Sequence, residues 1–271
     1  MRVLLWAEMR KIRRSSILWI AVFALIVAAG FIGLQGLERY EGPDLQSGLK
    51  SLRGGICYIN NPGWYLDQMQ TLATVFVLPA MIALLGSYTV CREEEEDTDK
   101  NLRMIPVNKD KLITAKMILN FGFSVLLYFL LFAIAFVAEY VLHGKDLSRQ
   151  LVLECFKEYI LDGVGVFLVV APIVAFVAYL KTSYWLAIIF TELYSCGGMF
   201  ASMSRFFSDI YPINAVFNLS GFRNVSAGQK ALSGMVLILS LALAVILLIG
   251  LRYSTGNSAI RKGKKNGKET V

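Results

Sequence analysis

A chain of 271 residues that is 56% apolar and 17% charged carries a mean hydropathy of +0.57 and a formal net charge of +7. Soluble domains run nearer about 45–50% apolar with about 25% charged residues, so an ordinary water-soluble domain is excluded. The charges crowd into short stretches and leave long uncharged runs. In hydrocarbon such runs must be helical, because no water is present to take backbone N–H and C=O groups.

Residues 1–15 read as an amphipathic interfacial helix. Leu5, Trp6, Met9 and Ile12 recur at helical spacing, while Glu8, Arg10, Lys11 and Arg14 take the other faces. A basic amphipathic helix with Trp at its edge lies in the membrane interface, as an anchor for the first span or as a lever on the bundle. The uncharged run 16–34 exceeds the about 7–15 residues of a signal-peptide core and reads as an uncleaved first span. Residues 35–68 form a loop closed by the turn signal Asn60-Asn61-Pro62-Gly63, with Tyr58, Trp64 and Tyr65 around it. A second span covers 69–90.

The stretch from Cys91 to Lys116 is the most informative. Glu93, Glu94, Glu95, Glu96 and Asp97 leave the second span, a run that is ordinarily a solvated face. Leu102, Met104 and Ile105 then form a short amphipathic stretch ending at Pro106, which lacks an N–H and disfavours helix before it. A second helix restarts near Asn108. Apolar side chains on such a helix–Pro–helix loop suggest a protein partner. Spans three to six fall at 117–141, 159–180, 184–201 and 231–251, with spans four and five joined only by Lys181, Thr182 and Ser183. Phe206, Phe207, Tyr211, Pro212 and Phe217 predict a short interfacial or re-entrant helix before span six. Residues 252–271 form a basic tail. The predicted fold is thus an all-α, six-span membrane domain over 16–251. Placing the N-terminus in the cytoplasm also puts most of the 27 Lys and Arg residues there, with the C-terminus on the same side.

Little here carries catalytic chemistry. His143 stands alone, with no ligand set for a metal around it. Cys57 and Cys155 fall on one side and allow a disulfide, but nothing in sequence fixes their separation. The tail Gly263-Lys264-Lys265-Asn266-Gly267-Lys268 has one residue too few between its glycines for a phosphate loop, and no strand precedes it. Three carboxyls lie within or at the edges of spans. Glu139 and Asp162 fall near outer ends, where water is close, and Glu192 nearer mid-span, where it should face the bundle interior or a cavity. Each reads either as a hydrogen-bonded structural group or as part of a proton or cation pathway.

The chain resembles the permease subunits of type 2 ABC transporters. Three features carry the resemblance: the lead-in Ala7-Glu8-Met9-Arg10-Lys11-Ile12-Arg13-Arg14-Ser15, the acid–Thr98–Leu102–Pro106–Lys116 loop, and the close spacing of spans four and five before an aromatic segment. Asp97, Asp99 and Lys109 depart from that family's usual residues near the loop. Within the family, the small size and Ser15-Ser16-Ile17-Leu18-Trp19 look most like permeases of lantibiotic-immunity and bacitracin-type exporters. The resemblance implies a multi-pass protein of the bacterial cytoplasmic membrane that exports an antimicrobial peptide or other amphipathic compound. It implies a coupling helix in which Leu102, Arg103, Met104, Ile105, Pro106, Val107 and Asn108 dock on a cytoplasmic ATPase. Two ATPase copies would hold ATP and Mg, with no cofactor on this chain, and a second permease would complete the assembly. Membrane lipid surrounds it, and nucleic acid is no partner. An ion-coupled secondary transporter working through Glu192, or a membrane assembly partner without transport, are the other readings.

Overall fold

The computed structural model describes residues 2–37, 62–95, 109–143, 147–180 and 185–266, with side chains described up to Gly250. All regular structure among them is helical. The order is α1 (Arg2–Arg14), α2 (Ile17–Leu37), α3 (Trp64–Leu72), a π-helical turn (Ala73–Val77), α4 (Leu78–Glu95) and α5 (Lys109–His143). Then come α6 (Arg149–Leu180), α7 (Trp185–Ala201), α8 (Arg205–Ile210), α9 (Pro212–Ser220) and α10 (Ala227–Asn266). The loop from Leu102 to Asn108, Cys57 and the 181–183 linker lie outside the described residues.

Among the described residues, five helices are long and apolar enough to cross a membrane: Ile17–Gln35, Trp64–Cys91, Lys111–Leu142, Arg149–Leu180 and Ala227–Gly250. Together they make the chain a multi-pass integral membrane protein. The predicted fifth span is the shorter apolar helix Trp185–Ala201, of 17 residues. At 1.5 Å per residue it is roughly 25 Å long, a little short of the about 30 Å of bilayer hydrocarbon. The second span starts at Trp64 rather than at 69. Trp64 and Tyr65, predicted as loop aromatics, are buried in the bundle as its first turn.

Helix α6 is the hub, packing against α3, α4, α5, α7, α9 and α10. Helix α2 presents Ile17, Ala21, Leu25, Ala28 and Ile32 to the interior at helical spacing. Trp19, Phe23, Val27 and Phe31 point away from it. Such a chain needs no polar outer face, because its solvent is lipid.

One proline organises the second span. Pro79 has no N–H to give the carbonyl four residues earlier, that of Val75, and its ring would crowd that turn. The chain widens into the π turn at Ala73–Val77. The freed Val75 carbonyl accepts a hydrogen bond from Ser195 Oγ of α7. That bond answers the bilayer's demand that every backbone group be satisfied within the protein.

Between α7 and α10 the predicted short helix is two helices, α8 and α9. Helix α9 is buried from Ile213 to Asn218 against α6 and α10. Its approach to α6 is so close that a Cβ at Gly165 would lie 2.7 Å from Val216 Cγ1. Small residues are what allow helices to come this near in a membrane.

Candidate functional site

The polar side chains of the bundle concentrate where α3, α5, α6 and α9 meet, at the end away from α1. Helix α3 begins there, and a helix N-terminus leaves four N–H groups without intrahelical partners. Glu139, near the end of α5, supplies the acceptors from across the bundle. Its Oε1 accepts from Gly63 N–H at 2.7 Å and its Oε2 from Tyr65 N–H at 2.9 Å. Gly63 sits at φ 94°, a left-handed conformation suited to glycine, which turns its N–H toward that carboxyl. Glu139 is completely buried, not reached by water as its position near the end of a span predicts. The loop before α3 turns there, and the helix end it starts needs an internal cap.

Asp162 of α6 is likewise buried, and the expectation of nearby water fails for it too. Its Oδ2 accepts from Gln70 Nε2 of α3 at 2.6 Å. Around that pair, Tyr159 Oη donates to Leu66 O at 2.6 Å, Tyr128 Oη to Thr74 Oγ1 at 3.0 Å, and Ser124 Oγ to Gly163 O at 2.6 Å. Asn214 and Asn218 of α9 donate to Gly198 O and Ser233 Oγ, tying α9 to α7 and α10. These bonds mostly join one helix to another. They can hold helices in register, which is the use most interhelical hydrogen bonds have in membranes.

Glu192 stands apart. The packed side of α7 is Ala187, Thr191, Ser195 and Gly198. Glu192 lies roughly 100° around the helix from Thr191, at 100° per residue. It is half-buried on the flank; of the two placements expected for it, the bundle interior or a cavity, the interior is not the one found. Among the described residues it makes no hydrogen bond or ion pair. The small residues at the packed side decide which way α7 faces, and they leave the carboxyl outside.

At the other end of the bundle α1 packs on α5. Glu8 and Ile12 are its buried residues, and Lys11 Nζ lies 2.9 Å from Glu8 Oε1. Trp6 and Met9 are exposed, with the Arg10 guanidinium over the Trp6 ring at 5.2 Å. The face that the sequence marks as apolar is thus split, with Ile12 against the bundle and Trp6 and Met9 outward, and a carboxylate on the nominally polar side meets the bundle. The Arg14 side chain lies outside the described residues, as does that of His143. Cys155 is buried, and Cys57, with which the sequence allows a disulfide, is not among the described residues. Outside the spans, burial lowers the pKa of the Arg223 guanidinium, which donates to Ser208 Oγ at 3.1 Å.

Structure thus brings Glu139 to the start of α3 and Asp162 to Gln70 further along the same helix, and places Glu192 and the Glu8–Lys11 pair elsewhere. The residues that sequence reading missed are Gln70, Tyr128, Tyr159 and Ser195. Only Ser195 had a usable signal, the proline that frees a carbonyl.

Comparison with known proteins agrees with this architecture. The family model described as ABC-2 family transporter protein matches residues 4–198. Over 137 residues the chain is 29% identical to the bacitracin transport permease protein BCRB of Bacillus licheniformis, covering 51% of this chain and 65% of that relative. The matched stretch therefore spans a little under two thirds of the relative's length. No solved structure matches.

Proposed function

Since the chain belongs to the ABC-2 family of transporter proteins, we propose that it is the membrane-spanning permease subunit of an ATP-driven exporter. It moves an antimicrobial peptide or another amphipathic compound outward from the membrane. The family match carries this reading: residues 4–198 take in α1, the first four long apolar helices, the loop between α4 and α5 and most of α7. The relative's bacitracin name is the ground for putting peptides first among substrates.

In this reading α7 is a sixth span, both termini are cytoplasmic, and the residues from Leu102 to Asn108 seat in a groove on a soluble ATPase. Two ATPases bind ATP and Mg, and a second permease stands beside this one. Helices α4 and α5, which flank the docking loop, pack on each other and on α6. A push on the loop therefore reaches the hub of the bundle directly. Glu139 and Asp162 support export over ion-coupled transport, because both are engaged in bonds that hold helices together.

The test addresses the loop. Met104 and Ile105, if buried against an ATPase, each contribute roughly 1.5–3 kcal/mol. Met104→Asp together with Ile105→Asp should give a folded, membrane-inserted permease that no longer co-purifies with its ATPase subunit. Glu94→Gln with Glu95→Gln should change retention little, because solvated rim charges contribute about 0–1 kcal/mol. A double aspartate variant that retains the ATPase and hydrolyses ATP like wild type would remove this loop as the docking site.

A further inference from the structure

Glu139 and Asp162 are held by the bundle, whereas Glu192, among the described residues, is held by nothing. The neighbours along its side of α7 give that carboxyl a context. Trp185 stands seven residues earlier, nearly two full turns and so about 10 Å along the same side of the helix. Trp185 also lines a cavity of about 310 Å³ between α2, α4 and α7, with Ser15, Ser16, Ile20, Leu84 and Tyr88. Hydroxyls and hydrocarbon share its wall, and none of the described residues that line it is charged. Beyond Glu192, Cys196 and Met199 continue the same side, and Met199 is half exposed.

The strip therefore runs from an amphipathic cavity, over an indole, to one carboxyl and a methionine. We infer that it binds an amphipathic cation, with Glu192 supplying the counter-charge and so determining which compounds the protein accepts. An unpaired carboxyl at mid-span depth is costly, and a lipophilic cation removes that cost by pairing with it. Attraction between opposite charges is many times stronger in low dielectric than in water. The indole face favours the same sign of charge. Methionine offers an adaptable surface for a ligand's apolar part. An anion of equal size and hydrophobicity meets repulsion at the same place. That the bound cation is cargo rests on the exporter reading above; that it binds does not.

Binding can be measured on the purified full chain in detergent, without any ATPase. Tetraphenylphosphonium and tetraphenylborate have the same shape and opposite charge, and equilibrium dialysis compares them directly. Wild type should prefer the phosphonium. Glu192→Gln should weaken phosphonium binding about tenfold or more, the loss of one ion-pair attraction in a low-dielectric site, and leave the borate no weaker. Glu192→Asp should keep the preference. Bound phosphonium should also slow alkylation of Cys196 by N-ethylmaleimide, followed by peptide mass mapping. Equal weakening of both ions by Glu192→Gln would mean a structural carboxyl and overturn the inference. So would phosphonium binding indifferent to the substitution. Oxidative cross-linking of Cys196 to Cys196 of a second copy, unaffected by phosphonium, would show the strip covered by another protein chain and overturn it as well. Charge-selective binding in a protein that retains no ATPase would sink the exporter reading and leave this one standing.

Discussion

At the end of the bundle away from α1, Glu139 is fully buried and accepts two backbone N–H groups, whereas on the flank of α7 Glu192 is half-buried and accepts none among the described residues. Both carboxyls belong to membrane-embedded helices. The difference comes from what the neighbouring backbone lacks. The first turn of α3 has donors that its own helix cannot use, and Glu139 reaches them from α5. Next to α7 the backbone group that Pro79 frees is a carbonyl, Val75 O, which needs a donor and has one in Ser195. A carboxyl beside a helix start becomes part of the fold. A carboxyl beside continuous helix remains available to something outside the fold.

The largest expected effect tests the first half of that contrast. Glu139→Ala removes both acceptors and leaves Gly63 and Tyr65 N–H without partners in a dry site. Hydrogen bonds to charged groups are worth about 1.5–3 kcal/mol each, so a loss of about 3–6 kcal/mol is expected. Thermal unfolding in detergent, read by size-exclusion of the surviving folded fraction, should show most of the protein lost well below the wild-type midpoint. Glu139→Gln keeps one good acceptor and should recover roughly half. An alanine variant that unfolds like wild type would mean that α3 does not depend on this cap.

For Glu192 the sign reverses. Glu192→Leu takes an unpartnered carboxyl off an apolar flank, and charged groups at mid-span cost roughly 2.5–3.5 kcal/mol in insertion measurements. Detergent and partial burial reduce that figure, so the isolated chain should gain about 1–3 kcal/mol and unfold at a higher temperature. A lower midpoint would show that Glu192 is bonded within the chain, and the contrast between the two glutamates would collapse.

The same physics decides how much of this was legible in the sequence. Hydrocarbon forces uncharged runs into helices, so the helical class and the approximate places of the spans could be read directly. The start of the second span could not, because Trp64 and Tyr65 after Asn60-Asn61-Pro62-Gly63 resemble the aromatic rim of a loop as much as a buried first turn. The π turn could have been read: Pro79 points to a free Val75 carbonyl by simple counting, and a serine on a neighbouring span is a natural donor. Facing was harder. Helix α7 is apolar nearly all round, so hydrophobic periodicity does not orient it. Ala187, Thr191, Ser195 and Gly198 do, by being small at helical spacing, and they turn Glu192 aside. Glu139 and Asp162 were visible as carboxyls near span ends. Their partners Gly63, Tyr65 and Gln70 come from a different helix, and one sequence does not disclose such long-range pairs.

The smallest expected effect concerns a third glutamate, which lies between the other two in its bonding. Glu8 of α1 is buried against the bundle, but its partner Lys11 keeps 44% of its side chain exposed. Solvent competes for that ammonium, and exposed pairs contribute about 0–1 kcal/mol. Lys11→Met keeps most of the apolar stem that covers α1 and removes only the charge. The unfolding midpoint should move by less than the equivalent of about 1 kcal/mol, and by less still at high salt, where screening already weakens the pair. Comparing wild type and variant at low and high ionic strength separates charge from packing, because only the charge term responds to salt. A loss that is large and salt-independent would mean that Glu8 depends on Lys11 as completely as α3 depends on Glu139. The two ends of the bundle would then be fastened by equally buried bonds, and α1 would be part of the rigid core instead of a lever resting on it.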